Sequence, residues 1–207
     1  MELRDVADAT MGSVTAGTLR VLAGTERALT ARQVARLSGA SQTGTAHVLA
    51  RLERAGLVRV DAVGGTSLCS LNREHLSAAL IIDFVNMRRS ILDAVQSEAS
   101  RWRPRPLHVS VYGSFARGDE TIDSDIDVLV VLPEGATEDT WSDRLHEGAS
   151  RLLARTGHGI SWFPVTMIEL RRGRRADEPI VQEWLHDARL LVGKPLKTLL
   201  LSEHAPR

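Results

Sequence analysis

Residues 111–132 read VYGSFARGDETIDSDIDVLVVL, and this stretch decides the fold of the second half of the chain. It places a Gly-Ser pair ten residues ahead of two aspartates, Asp125 and Asp127, which lead into an aliphatic run. Residues i and i+2 of a strand share a face, so these two carboxylates repel each other unless a cation lies between them. The stretch therefore predicts a strand, a turn into a helix, and a second strand that carries a cation site.

The Gly-Ser pair has the features of an anion site. Gly113 lets the backbone approach a phosphate closely, and the amides at a helix N-terminus point toward it. Ser114 adds a hydroxyl donor, and Arg117 adds a cation one helical turn further on. Asp125 and Asp127 supply the oxygen ligands that Mg²⁺ or Mn²⁺ prefers, and such ions bring substrate phosphates with them. The pattern predicts a site for a nucleoside triphosphate and its metal, with phosphoryl-type transfer as the chemistry.

The same residues resemble the signature of the DNA polymerase β-like nucleotidyltransferase superfamily, which is Gly-Ser, ten residues, Asp-x-Asp. The likeness is greatest to the small bacterial and archaeal group of minimal nucleotidyltransferases, and it covers about residues 107–192. It implies that Asp125 and Asp127 are the catalytic metal ligands and that an NTP, with ATP expected, is the substrate. Minimal nucleotidyltransferases often act as antitoxins, so the resemblance also implies a toxin-like protein partner.

The family adds a third carboxylate on the next strand, and this chain departs from that pattern. The corresponding stretch, GHGISWFPVTMIEL, has no Asp or Glu before Glu169, which we expect at a helix start. Similar sequences predict the third position at Phe163, or at Ser161 if the alignment slips by two. Two functions therefore stay open. One is transfer of NMP to a protein, nucleic-acid or small-molecule acceptor, and the other is transcriptional regulation by a degenerate, nucleotide-sensing transferase domain.

The first third of the chain has a different pattern, with three short helices and a hairpin. Thr30 and Ser41 are suited to begin helices, and LVRVDAVGGTSLCSLN alternates around a Gly-Gly turn. This layout resembles bacterial winged helix-turn-helix regulators, which implies double-stranded DNA as a partner, with a protein-contact role as the alternative. The DNA-binding candidates are Gln42, Thr43, His47, Arg51 and Arg59.

Three segments follow from these patterns, and the expected fold class is α+β. Residues 12–72 form the winged helix-turn-helix, 73–103 a single linker helix, and 104–194 a nucleotidyltransferase domain with a mixed sheet flanked by helices. The linker helix has an apolar stripe that packs on its own domains or forms the seam of a homodimer. We expect Val34 and Leu37 to be buried, the tryptophans after residue 140 to lie in the core or a domain interface, and RRGRR at residues 171–175 to be a solvated loop.

Composition excludes several classes of protein. The formal net charge is +0, so no overall basic field indicates nucleic acid, although the front is mildly basic and the back mildly acidic. The single cysteine, Cys69, excludes an internal disulfide. No apolar run has the length of a membrane span, so we expect no membrane partner and a cytoplasmic location.

Overall fold

A computed structural model describes residues 6–118 and 124–201 of the chain. The chain divides into two compact units, Met1–Ser90 and Ile91–Arg207. The boundary lies within the segment predicted to be a linker. The segment 119–123, between the Gly-Ser turn and Asp125, lies outside the described residues.

The first unit is a small helical domain with a two-stranded sheet. Its elements in chain order are α1 (Val6–Met11), α2 (Ser13–Ala23), α3 (Ala31–Ser38), α4 (Gln42–Arg54), β1 (Val58–Val63), β2 (Thr66–Leu71) and α5 (Ala78–Val85). Each of these elements contributes to the core. The core residues include Ala16, Leu19, Leu22, Val34, Val48, Leu49, Leu52, Val58 and Leu71.

Side-chain caps fix the helix starts that the sequence predicts. Thr30 accepts a hydrogen bond from the Gln33 amide at 3.2 Å, and the Gln33 side chain accepts one from the Thr30 amide at 2.8 Å. Ser41 accepts one from the Gly44 amide at 3.1 Å. Strands β1 and β2 pair in antiparallel fashion around two glycines with φ values of 56° and 80°. Left-handed φ at both positions is what a two-residue hairpin turn requires, so the predicted wing is confirmed.

One core prediction in this unit is wrong. Leu37 is 59% exposed, whereas Val34 is fully buried. Helix α3 approaches α2 through Ser38, whose Cβ lies 3.3 Å from where a Cβ on Gly17 would be. The buried face of α3 is therefore centred on positions 34, 35 and 38, and Leu37 lies on the far side of the helix.

The segment predicted as one linker helix contains two helices. Helix α5 ends at Val85. The next residue, Asn86, has a φ of −104° and a ψ of 23°, which lie outside the helical range, and α6 (Met87–Arg101) begins after it. Asn side chains compete for backbone hydrogen bonds and so favour helix ends. The apolar stripe is also interrupted, because Leu76 and Leu80 are 97% and 71% exposed while Val95 is fully buried.

The second unit is an α/β layer structure around a four-stranded sheet. After α6 its elements are β3 (His108–Val111), α7 (Gly113–Arg117), β4 (Ile126–Val131), α8 (Glu138–Thr156), β5 (Ile160–Val165), α9 (Met167–Arg175), α10 (Pro179–Asp187), β6 (Arg189–Gly193) and α11 (Leu196–Leu201). The strand order is β5-β4-β3-β6. Strand β3 is antiparallel to β4 and β6, and β4 is parallel to β5, so the predicted mixed sheet is confirmed.

The two faces of this sheet are covered by different helices. On one face a cluster of three tryptophan rings joins the end of α6, α8 and β5, with centroids 5.6 Å apart for Trp102 and Trp141 and 4.9 Å apart for Trp102 and Trp162. On the other face Leu129 and Val131 pack with residues of α9, α10 and α11. The RRGRR stretch lies in helix α9, so its prediction as a loop is wrong. Within the described ranges, no helix has the length and apolarity to cross a membrane.

Candidate functional site

The Gly-Ser turn connects β3 to the short helix α7. Gly113 has a φ of 68°, in the left-handed range that favours glycine. A Cβ at this position would also lie only 2.8 Å from Oδ2 of Asp127. Gly113 is therefore required both for the backbone conformation and for the close approach of that carboxylate. Ser114 follows in the first turn of α7, where it is half-buried.

Asp125 lies against a second glycine, which the sequence analysis did not identify. The Ile126 amide donates to the Gly159 carbonyl at 2.9 Å, at the point where β4 and β5 begin to pair. A Cβ on Gly159 would overlap Oδ1 of Asp125. In the sequence, Gly159 is only a glycine directly before the predicted strand β5. Its proximity to Asp125 becomes evident once the parallel register of β4 and β5 is known.

The two carboxylates lie close enough to interact electrostatically. Burial raises the pKa of Asp127, and the negative charges of Asp125 and Glu183 raise it further. This is the repulsion that the i, i+2 spacing predicts, and a divalent cation would relieve it. The oxygen donors suit Mg²⁺ or Mn²⁺. Among residues 6–118 and 124–201, no group of three or more His, Cys, Asp or Glu is arranged to hold a metal.

The strand register shows which of the two predicted positions of a third carboxylate lies beside Asp127. Ser161 on β5 pairs with Asp127 on β4, whereas Phe163 pairs with Leu129. Ser161 is exposed, and Phe163 packs against Trp184 with ring centroids 5.4 Å apart. The residue directly beside Asp127 is therefore Ser161, the second of the two predicted positions, and Phe163 lies one pair further along the same face. Alternation along β5 puts both side chains on the Asp127 face, so the sequence alone could not separate them.

Two further charged residues named in the sequence analysis, Arg117 and Glu169, have partners of their own. Arg117, expected to bind phosphate, forms ion pairs with Glu183 at 3.2 Å and Asp187 at 3.7 Å. Glu169 accepts hydrogen bonds from the Thr166 amide and hydroxyl at 2.8 and 2.7 Å, and these bonds lower the pKa of Glu169. Glu169 thus caps helix α9, as its position after the strand predicts.

Helix α10 adds a residue that the sequence analysis missed. Glu183 contributes to the raised pKa of Asp127 and pairs with Arg117. Nearby, Tyr112 is buried beneath Trp184, with ring centroids 5.9 Å apart. Burial raises the pKa of the Tyr112 hydroxyl, and the charge of Asp127 adds to this effect. Glu183 becomes a neighbour of the aspartates only through the packing of α10 on the sheet. Tyr112 is placed there by the pairing of β3 with β4, and its amide donates to the Asp127 carbonyl at 3.0 Å.

The first unit presents part of the predicted DNA-binding set on helix α4. Gln42, Thr43 and His47 are exposed. Arg51 and Arg59 are exposed too, but each has a partner: Arg51 donates to the Thr15 hydroxyl at 3.1 Å, and Arg59 forms an ion pair with Glu74. The exposed face of α4 continues through Ala46, Ala50 and Arg54, which the sequence analysis did not select.

Comparison with known proteins agrees with the two units. The model of the nucleotidyltransferase domain family matches residues 88–186, and that of the IclR helix-turn-helix domain matches residues 16–62. The Methanocaldococcus jannaschii protein MJ0604, which is named as a protein adenylyltransferase, is 40% identical over 47 residues, or 23% of this chain and 47% of that protein. The chain thus spans about half the length of the curated relative it matches.

Two solved structures share lower similarity. One is described as a toxin-antitoxin with AMP-PNP; it has 12% identity and a TM-score of 0.39, over 54% of this chain and 82% of that chain. The other is a predicted DNA-binding transcriptional regulator from E. coli, with 17% identity and a TM-score of 0.30, over 41% of this chain and 81% of that chain. The two family models thus match an IclR helix-turn-helix domain in the N-terminal part of the chain and a nucleotidyltransferase domain over residues that include Asp125 and Asp127.

Proposed function

We propose that the chain transfers a nucleoside monophosphate from an NTP, with ATP as the expected donor, to a hydroxyl group of a partner protein. The observation that carries this proposal is the pair of aspartates at the Gly-Ser turn, each accommodated by a glycine that leaves room for its carboxylate. The protein acceptor is supported by the similarity over 47 residues to a protein named as a protein adenylyltransferase. A toxin-like protein is the acceptor implied by the resemblance to minimal nucleotidyltransferases.

Each residue has a defined part in such a transfer. The acceptor hydroxyl oxygen attacks the α-phosphorus and loses its proton to water. The bond between the α-phosphorus and the α,β-bridging oxygen breaks, and pyrophosphate leaves with that oxygen. The amides around Gly113 and the hydroxyl of Ser114 bind the phosphates. Asp125 and Asp127 hold the divalent cation, which neutralises charge on the phosphates when bound. Because the pKa of Asp127 is raised, metal binding should weaken as the pH falls toward that pKa and the carboxylate takes up a proton.

The first test is the metal dependence of ATP binding to the full chain. Calorimetric titration should show ATP binding at least roughly tenfold tighter with Mg²⁺ than in EDTA, because the cation removes the repulsion between the two carboxylates and the phosphates. Asp143→Asn, an exposed aspartate on α8, is the control and should behave like the wild type. Equal affinity with and without metal would assign the aspartates another role. Transfer is then followed with ATP labelled on its α-phosphate.

The alternative function, a nucleotide-sensing transcriptional regulator, is favoured by one observation. The two predicted positions of a third carboxylate on β5 are occupied by Ser161 and Phe163, and neither side chain is a carboxylate. A sensor would bind ATP·Mg²⁺ and change its DNA affinity, yet incorporate no label into any protein. Calorimetric ATP binding, together with the transfer of label from ATP, therefore distinguishes the transferase from the nucleotide sensor.

The winged helix-turn-helix is proposed to bind double-stranded DNA through the exposed face of α4. We expect Gln42→Ala to weaken binding to the DNA upstream of the protein's own gene by about 1–3 kcal/mol if that side chain reads a base. Wild-type affinity should fall steeply with salt, since phosphate contacts release counterions. Gel-shift titration measures both, with Arg155→Ala on α8 as the control. Absent or salt-insensitive binding would make this unit a protein-contact module.

A further inference from the structure

A concave, arginine-rich surface lies apart from the aspartate site. It is a cleft of about 700 Å³ between the end of α6 and helix α8. We refer to it as the arginine cleft, and its charged lining consists of Glu98, Arg101, Arg103, Arg144, Glu147 and Arg151. Four arginines face two glutamates, so the lining has an excess of positive charge.

The two glutamates are committed mainly to one arginine. Glu98 is 4% exposed and accepts from Arg151 Nη2 at 2.7 Å and from Trp102 Nε1 at 3.2 Å. Glu147 lies 3.2 Å from Nη1 of the same Arg151. Arg101 is more distant from Glu98, at 3.8 Å. The two carboxylates of the cleft are therefore paired mainly with Arg151 and interact less closely with the other arginines.

Arg103 and Arg144 are held in place by backbone and aromatic groups instead. Arg144 Nη2 donates to the Arg103 carbonyl at 2.9 Å, and its guanidinium lies 4.6 Å from the centre of the Trp141 ring. Arg103 Nη1 donates to the Ser100 and Trp102 carbonyls at 2.9 and 2.8 Å. Within the described ranges, neither guanidinium has a carboxylate partner in an ion pair. Each has five N–H donors, so both are fixed in position with donors left over.

We propose that the arginine cleft binds a small polyphosphate anion, such as pyrophosphate or the triphosphate chain of a nucleotide. Fixed guanidiniums with spare donors match the oxygens of a phosphoryl group bidentately, and little side-chain entropy is lost on binding. Several guanidiniums in one cleft favour a multiply charged ligand over a single carboxylate. A concave volume of this size is also in the range of small-molecule sites.

The adjacent aromatic rings indicate that recognition is independent of a base. Trp102 and Trp141 are 4% and 2% exposed, so neither offers a free face on which a nucleobase could stack. The ligand features that the cleft recognises are therefore the phosphates alone. Pyrophosphate should bind about as well as the nucleotide that contains the same phosphate chain.

The cleft is separate from the Asp125–Asp127 site. Trp102 contacts Trp162, and alternation along β5 places Trp162 on the opposite side of the sheet from Ser161, the register partner of Asp127. An anion in the cleft and a nucleotide at the aspartates thus lie on different faces of the sheet. The proposal does not depend on the transfer reaction.

The test uses the full chain carrying both Asp125→Asn and Asp127→Asn, in EDTA, titrated with pyrophosphate. Calorimetry and tryptophan fluorescence, with Trp102 in the cleft lining, should both show one binding event. Adding Arg103→Ala should weaken it at least roughly tenfold, since that removes fixed donors to the phosphate oxygens. Adding Arg155→Ala, an exposed arginine further along α8 and outside the cleft, should leave it unchanged. Arg144→Gln is a second cleft variant, which keeps an N–H donor for the Arg103 carbonyl and should also weaken pyrophosphate binding. Thermal melting checks that each variant is folded.

Three results would overturn the proposal. Loss of pyrophosphate binding in the double-asparagine background would place the anion at the aspartate site. Equal binding of sulfate and pyrophosphate would show an adventitious ion only. Tighter binding of a single-stranded oligonucleotide, also lost in Arg103→Ala, would make the cleft a nucleic-acid surface.

Discussion

Asp127→Asn is expected to weaken metal-dependent ATP binding by roughly 100-fold, about 2.7 kcal/mol, and to abolish transfer. The substitution removes one of two oxygen ligands for the cation and leaves an amide that carries no charge. Asp127 is also the aspartate whose carboxylate touches the Gly-Ser turn, where a Cβ on Gly113 would lie 2.8 Å from its Oδ2. Calorimetry with ATP and Mg²⁺ measures the loss.

The same variant should be at least as stable as the wild type at neutral pH. The pKa of Asp127 is raised in the folded state, so the unfolded chain loses this proton at lower pH than the folded one. As the pH rises from the unfolded value through the folded pKa, the charged carboxylate destabilises the fold. Asparagine removes that charge. A thermal midpoint well below that of the wild type in EDTA would show that lost binding reflects damage to the fold instead.

Ser161→Asp is expected to raise nucleotidyl transfer by roughly tenfold or more, because it adds a carboxylate at the register partner of Asp127. A third negative charge beside the other two should lower the thermal midpoint in EDTA, and Mg²⁺ should restore it. This stability readout does not require knowledge of the acceptor.

Phe163→Asp is the matched control for this gain. It changes a residue of the same strand and face, but its partner is Leu129, and the change removes the ring contact with Trp184. It should lower stability with no rescue by Mg²⁺ and no gain in transfer. A larger gain in Phe163→Asp than in Ser161→Asp would mean that the β4–β5 register differs from the one described.

Local signals predicted much of the architecture. Thr30 and Ser41 mark helix starts because their hydroxyls cap the first turn, and Gly64-Gly65 marks the wing because both residues can adopt left-handed φ. The mixed sheet was expected from the resemblance to nucleotidyltransferases that the Gly-Ser and Asp-x-Asp residues carry. Asp125 and Asp127 stood out because charged residues directly before an aliphatic strand require a compensating partner.

Features that depend on packing between distant segments could not be predicted. Gly159 and Ser161 lie next to the aspartates only through the parallel register of β4 and β5. Glu183 reaches the site through the docking of α10, and it also binds Arg117, which the sequence placed on the phosphates. Arg51 is exposed, as its helical spacing predicts, but its hydrogen bond to Thr15 on α2 could not be foreseen.

The parallel pairing of β4 with β5 also bears on when the site forms during folding. The Gly-Ser turn and strands β3 and β4 are close in sequence, whereas Ile126 pairs with Ile160 only after the chain has passed through α8. Non-local pairings of this kind form slowly, because the loop must close before the contacts stabilise it. Asp125 acquires its fixed surroundings at Gly159 in that late step. A nascent chain released before residue 160 would therefore carry both aspartates without the pairing that fixes the surroundings of Asp125.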